Sequence, residues 1–73
     1  MREFDLIEAR LQEENPQFRR IWVQYSLHRG KYRIVITVFF HDYSGYRMLF
    51  GEPKDLSWNS INRIFNENIH LIQ

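Results

Sequence analysis

The spacing of hydrophobic positions changes twice along this chain. From residue 3 to 14, Phe4, Ile7 and Leu11 recur at i, i+3 and i+7, the narrow apolar stripe of an amphipathic helix. Asp5 and Glu8 fit a capping-box-like start. Asn15-Pro16 ends the helix, because the residue before proline is pushed out of the α region. Residues 18–41 alternate with period two and are rich in β-branched and aromatic side chains, the pattern of two strands joined at Arg29-Gly30. A two-residue turn there sets a register in which Leu27 faces Tyr32, Tyr25 faces Ile34, Val23 faces Ile36 and Ile21 faces Val38. A one-residue slip would destroy that match. A three-residue loop, Tyr43-Ser44-Gly45, leads to a third strand that stops at Gly51-Glu52-Pro53, with Phe40 facing Met48 and Val38 facing Phe50. Helical spacing returns over about 57–71 in Ile61, Ile64, Phe65, Asn68 and Ile72, with Trp58 one turn earlier. Ser57 is the expected N-cap, with Asp55 as competitor.

The order α-β-β-β-α predicts an α+β fold: a three-stranded antiparallel meander with two helices packed on one face, in a single domain of residues 1–73. Ile21, Val23, Tyr25, Leu27, Ile34, Ile36, Val38 and Phe40 form the expected core face, extended by Met48 and Phe50. The opposite face is left open. In this register it carries Arg20, Trp22, Gln24, Ser26 and His28 on the first strand, and Lys31, Arg33, Val35, Thr37, Phe39 and His41 on the second. Arg47 and Leu49 join it from the third. An open face should be polar, yet Trp22, Val35, Phe39 and Leu49 interrupt the cations. Arg20, Trp22, Arg33, Val35, Phe39, His41, Arg47 and Leu49 are therefore the candidate partner-binding residues.

Charge sharpens this picture. The net charge is +1, but it is unevenly placed. Residues 1–16 hold Arg2 and Arg10 against Glu3, Asp5, Glu8, Glu13 and Glu14, a net −3. Residues 17–51 hold Arg19, Arg20, Arg29, Lys31, Arg33 and Arg47 against Asp42 alone, a net +5. The remainder is −1, so all the net positive charge sits on the strands. The absence of cysteine removes disulfides, thiolate catalysis and sulfur-ligated zinc, and fits a reducing cytoplasm. Twelve aromatics must then carry much of the stability of a chain of 73 residues. The charged amino terminus lacks the apolar run of a signal peptide, and no stretch reaches the roughly 20 residues of a membrane span. The expected product is a small, complete, soluble cytoplasmic protein.

Catalytic constellations are sparse. His28 and His41 are expected at opposite ends of the ribbon, roughly 33 Å apart at strand rise. His70 has no spacing partner. Ser26 and His28 share a face two residues apart, with no carboxylate placed to orient the imidazole. The acids of the first helix read as a solvated face, and the glycines as turn residues. No metal, cofactor or phosphate loop is expected.

The turn between the first two strands, the aromatic Tyr32 after it and the alternation Ile34, Ile36, Val38 carry a topological resemblance that runs the length of the chain. The order is similar to that of the double-stranded-RNA-binding domain and of small HicA-type toxins. The RNA-binding family grips phosphates with a lysine-rich start to its last helix. The corresponding stretch here is Leu56-Ser57-Trp58-Asn59-Ser60, with only Lys54 nearby. The toxin family carries a glycine-serine-histidine element, of which only His28 could be carried over, implying a ribonuclease. Both families serve as fold analogues, and fold does not supply function.

The expected function is non-enzymatic binding through protein–protein contact, in the manner of a phage or mobile-element inhibitor of a host nucleic-acid enzyme. A nucleic-acid-binding module using the basic aromatic sheet face is the alternative, and a HicA-like ribonuclease using His28 a further one. A homodimer through the open sheet face is also an expected partner arrangement.

Overall fold

The computed structural model describes residues 3–72. Its elements follow the order α1 (Asp5–Glu14), β1 (Phe18–His28), β2 (Lys31–Phe40), β3 (Tyr46–Gly51), α2 (Trp58–Asn68) and a final 3-10 turn (Ile69–Leu71). The strands form one antiparallel sheet in the order β1-β2-β3. The helices pack on one side of it, α1 chiefly against β1 and α2 against β3.

Local chemistry sets the boundaries. Phe4 occupies the N-cap of α1 without a side-chain cap bond, so the capping box does not form. At the other end Asn15 turns its side-chain amide back to the Leu11 carbonyl at 2.8 Å. The α2 start is built from both expected residues. Ser57 Oγ accepts from the Ser60 N–H, while Asp55 Oδ1 accepts from the Ser57 N–H at 3.0 Å and the Ser60 hydroxyl at 2.9 Å. These bonds hold the Asp55 carboxyl below its ordinary pKa, with Ser57 the larger cause. The β1–β2 turn has positive φ at both Arg29 (52°) and Gly30 (77°), the type I′ geometry that matches strand twist.

The β1–β2 register is as the alternation predicts, with Val23 opposite Ile36 and Ile21 opposite Val38. The β2–β3 register differs. Thr37 pairs with Met48, Ile36 with Leu49 and Val38 with Arg47. The connecting loop is longer than three residues. Asp42 accepts from the Ser44 N–H, Tyr43 adopts φ 60°, and the Phe40 N–H reaches the Gly45 carbonyl. The extra length moves the register by three residues, an odd number, which turns every β3 side chain to the other face. Leu49 is consequently buried in the core, and Met48 and Phe50 lie outside, each about half exposed.

The core comprises Phe4 and Leu11 of α1, Phe18, Ile21 and Val23 of β1, Ile34, Ile36 and Val38 of β2, Leu49, and Ile61, Ile64 and Phe65 of α2. Arg10 stacks its guanidinium 4.0 Å from the Trp58 ring centre and ties the two helices together. Tyr25 and Leu27, expected in the core, are exposed. The reason is length. An 11-residue strand runs roughly 36 Å, whereas helices of 10 or 11 residues run about 15–17 Å and shelter only half of it.

Candidate functional site: the helix-free face of the sheet

Trp22 on β1, Phe39 on β2 and Tyr46 on β3 form a row of rings across the face that no described helix covers. Trp22 and Phe39 meet edge to face with centroids 5.0 Å apart, and Phe39 and Tyr46 lie 5.8 Å apart. Trp22 and Phe39 are half-buried by their neighbours, and Thr37 is buried beneath them. Met48 and Phe50 continue the apolar row down β3. Trp22, Gln24, Thr37, Phe39, Tyr46 and Met48 line a shallow depression of about 300 Å³.

Cations frame this row. A bulge between Phe18 and Arg20 admits Arg19 as an extra residue. Its guanidinium sits 4.5 Å from the Tyr43 ring centre and 5.6 Å from that of Phe39, and its Nε donates to the Phe40 carbonyl. Arg20 lies 5.0 Å from the Trp22 ring centre. Lys31 and Arg33 stand at the opposite end of the face. None of these four cations has an ion pair among the described residues, where the two pairs present are Arg10–Glu14 and Arg63–Glu67. Strands β1, β2 and β3 contribute no carboxylate to the face.

The structure brings Arg20, Trp22, Val35 and Phe39 together on this face as the alternation implies, with Arg33 toward its far end. It removes three candidates. Leu49 is a core residue opposite Ile36, because of the shifted register. Arg47 points to the helix side opposite Val38, over the Phe40 ring at 5.8 Å, and donates to the Tyr46 carbonyl. His41 lies beyond the end of β2, with Nε2 2.8 Å from the Pro16 carbonyl oxygen, so it braces the α1–β1 loop. Tyr46, Met48 and Phe50 replace them, and Arg19 joins through its bulge. The hydrophobic residues of β3 alternate with arginine and glycine and fit either face; the loop length decides between them.

Leu71 and Ile72 do not fold over this face. Ile72 packs against the core beside α2, and Leu71 is exposed. The histidines remain apart: His28 sits at the hairpin tip, His41 on Pro16 and His70 in the 3-10 turn. Glu8 is not a solvated acid, since its carboxylate accepts from the Val23 N–H on the outer edge of β1. Among the described residues no helix is long and apolar enough to cross a membrane. No family model matches the chain, and neither the curated proteins nor the solved structures give a significant match.

Proposed function

We propose that this protein is a non-catalytic binding module whose helix-free sheet face docks an acidic protein surface. The observation that carries the reading is the row Trp22–Phe39–Tyr46, extended by the exposed Met48 and Phe50 and framed by cations that have no ion pair among the described residues. Aromatics and arginine concentrate at the centres of protein interfaces, with charged groups at the rim. Two details favour protein over single-stranded nucleic acid on this face. Arg19 and Arg20 already stand against the Phe39 and Trp22 rings, where bases would have to stack. The β2–β3 register also places Tyr46, Met48 and Phe50 here in place of a cation and a leucine, which makes the face more apolar. A second copy packed face to face would oppose arginine to arginine across a closing interface, so the complementary partner is acidic.

The test uses the double variant Tyr46→Ala/Met48→Ser, which alters two exposed side chains and leaves the core intact. Immobilised wild-type protein should retain an acidic protein in stoichiometric amount from an extract of its natural source, and the variant should lose it. Retention of the same protein by both would place the docking surface elsewhere and overturn the reading.

A further inference from the structure

We propose that the free end of the β1–β2 hairpin is an arm that enters the major groove of duplex DNA, a site that adjoins the far end of the docking face and shares Lys31 and Arg33 with it. The last rung shared with β3 is Ile34 opposite Gly51. Beyond it β1 and β2 continue alone through Ser26–Arg33, Leu27–Tyr32 and His28–Lys31 before the Arg29-Gly30 turn. Three rungs at strand rise extend about 10 Å past the body of the molecule. Every residue from Gln24 to Arg33 is exposed, on both faces of the ribbon. The overhang adds little to the core, since its side chains are exposed, and Glu52, just past β3, borders its recess.

Its chemistry is concentrated. Arg29, Lys31 and Arg33 lie within five residues, with His28 beside them. Together with Tyr32 and Glu52 they line a recess of about 210 Å³ at the tip. None of the three cations is in an ion pair among the described residues. The opposite flank presents Leu27 and Tyr32, and the Tyr32 ring lies 5.4 Å from that of Tyr25 at the base of the overhang, which itself packs edge to face on Phe4 at 5.6 Å beside Glu3. The major groove of B-form DNA, about 12 Å wide and 8.5 Å deep, admits a two-stranded β-ribbon, and the overhang is about as long as that groove is deep. Arg29 at the turn would reach base edges on the groove floor, Lys31 and Arg33 behind it would meet phosphates toward the groove mouth, and the apolar flank would meet sugars and thymine methyl groups. A-form RNA, with its deep and narrow major groove, does not admit such a ribbon. A flat acidic protein surface would meet the turn alone and leave the flanks in water.

The test is fluorescence anisotropy of a labelled DNA duplex of about 20 base pairs, titrated across a salt series. The triple variant Arg29→Asn/Lys31→Gln/Arg33→Gln removes the charge and keeps the turn, since asparagine tolerates positive φ. The wild type should bind at about 50 mM salt. The triple variant should bind at least about tenfold more weakly, and its log–log salt slope should be shallower by about 2, near 0.9 for each of the two phosphates no longer neutralised. The remote variant Arg47→Gln, at the other end of the sheet, should keep the wild-type slope, and duplex RNA of the same length should bind at least about tenfold more weakly than DNA. Absence of wild-type binding, an unchanged slope in the triple variant, an equal loss in the remote variant, or equal affinity for RNA would each overturn the proposal.

Discussion

The Glu8 carboxylate of α1 accepts a 2.7 Å hydrogen bond from the backbone N–H of Val23 in β1. This bond docks the helix on the sheet. It also occupies a donor on the open edge of β1, where another strand could otherwise pair. Gln12 helps, donating to the Phe18 carbonyl at 2.6 Å. Glu8→Ala should destabilise the fold by about 1–2 kcal/mol, the range for a charge-assisted bond that is partly sheltered. Chemical denaturation measures the loss, and sedimentation should show added self-association at high concentration. A variant with wild-type stability would show that the bond is dispensable.

Gly51 and Ile64 define how closely α2 approaches the sheet. A Cβ at position 51 would lie 2.7 Å and 2.8 Å from the Ile64 Cγ2 and Cγ1 atoms. Gly51→Ala should therefore cost about 1–3 kcal/mol through overpacking. Ile64→Ala removes both atoms at its own cost in the core, so Gly51→Ala should cost much less in that background, and a denaturation double-mutant cycle should give a favourable coupling between the two changes. Strict additivity would mean that this approach does not govern the packing.

Gly51 also marks the boundary of what is legible in the sequence. The β1–β2 register is readable because a two-residue turn leaves no slack and apolar residues pair on both strands. The β2–β3 register is not, because the loop depends on an aspartate-capped turn and on Tyr43 in the left-handed region, where tyrosine is uncommon. A three-residue loop puts Leu49 and Arg47 on the open face and Met48 and Phe50 in the core; the actual loop reverses all four. A glycine at 51, needed only if that position faces a helix, is the available clue. Tyr25 and Leu27 escape the pattern for another reason: alternation tells which side a residue faces, but not how far along the strand the helices reach. His41 leaves the face because β2 stops one residue before it. The pair of Trp22 and Phe39 is legible because it rests on the β1–β2 register alone.

Asp55 gives the α2 N-terminus a pH dependence of known sign. Its pKa is lowered in the folded protein by the Ser57 and Ser60 hydrogen bonds. The unfolded state therefore binds its proton more readily, so the stabilisation is fully present above the ordinary aspartate value of about 3.9. It is lost as pH falls below that value through the lowered pKa. Thermal unfolding of wild type and Asp55→Asn should differ at pH 7 and converge toward pH 2. A gap that stays constant over this range would contradict the assignment.

The type I′ turn makes two opposed changes predictable. Gly30→Ala places a Cβ at φ 77° and should cost about 1 kcal/mol, although nothing nearby obstructs it. Arg29→Asn should gain a few tenths of a kcal/mol, since asparagine adopts the φ of 52° more readily than arginine. Equal effects of the two substitutions on the denaturation midpoint would argue against this turn.

The most direct test of the docking face is site-specific photo-crosslinking in an extract of the natural source. A benzophenone side chain at Met48 probes the helix-free face, and one at the exposed Asn66 probes the far side of the molecule. One dominant acidic adduct is expected from position 48 and none from position 66. Adducts from position 66 alone, or the same adducts from both positions, would contradict a docking role for the helix-free face.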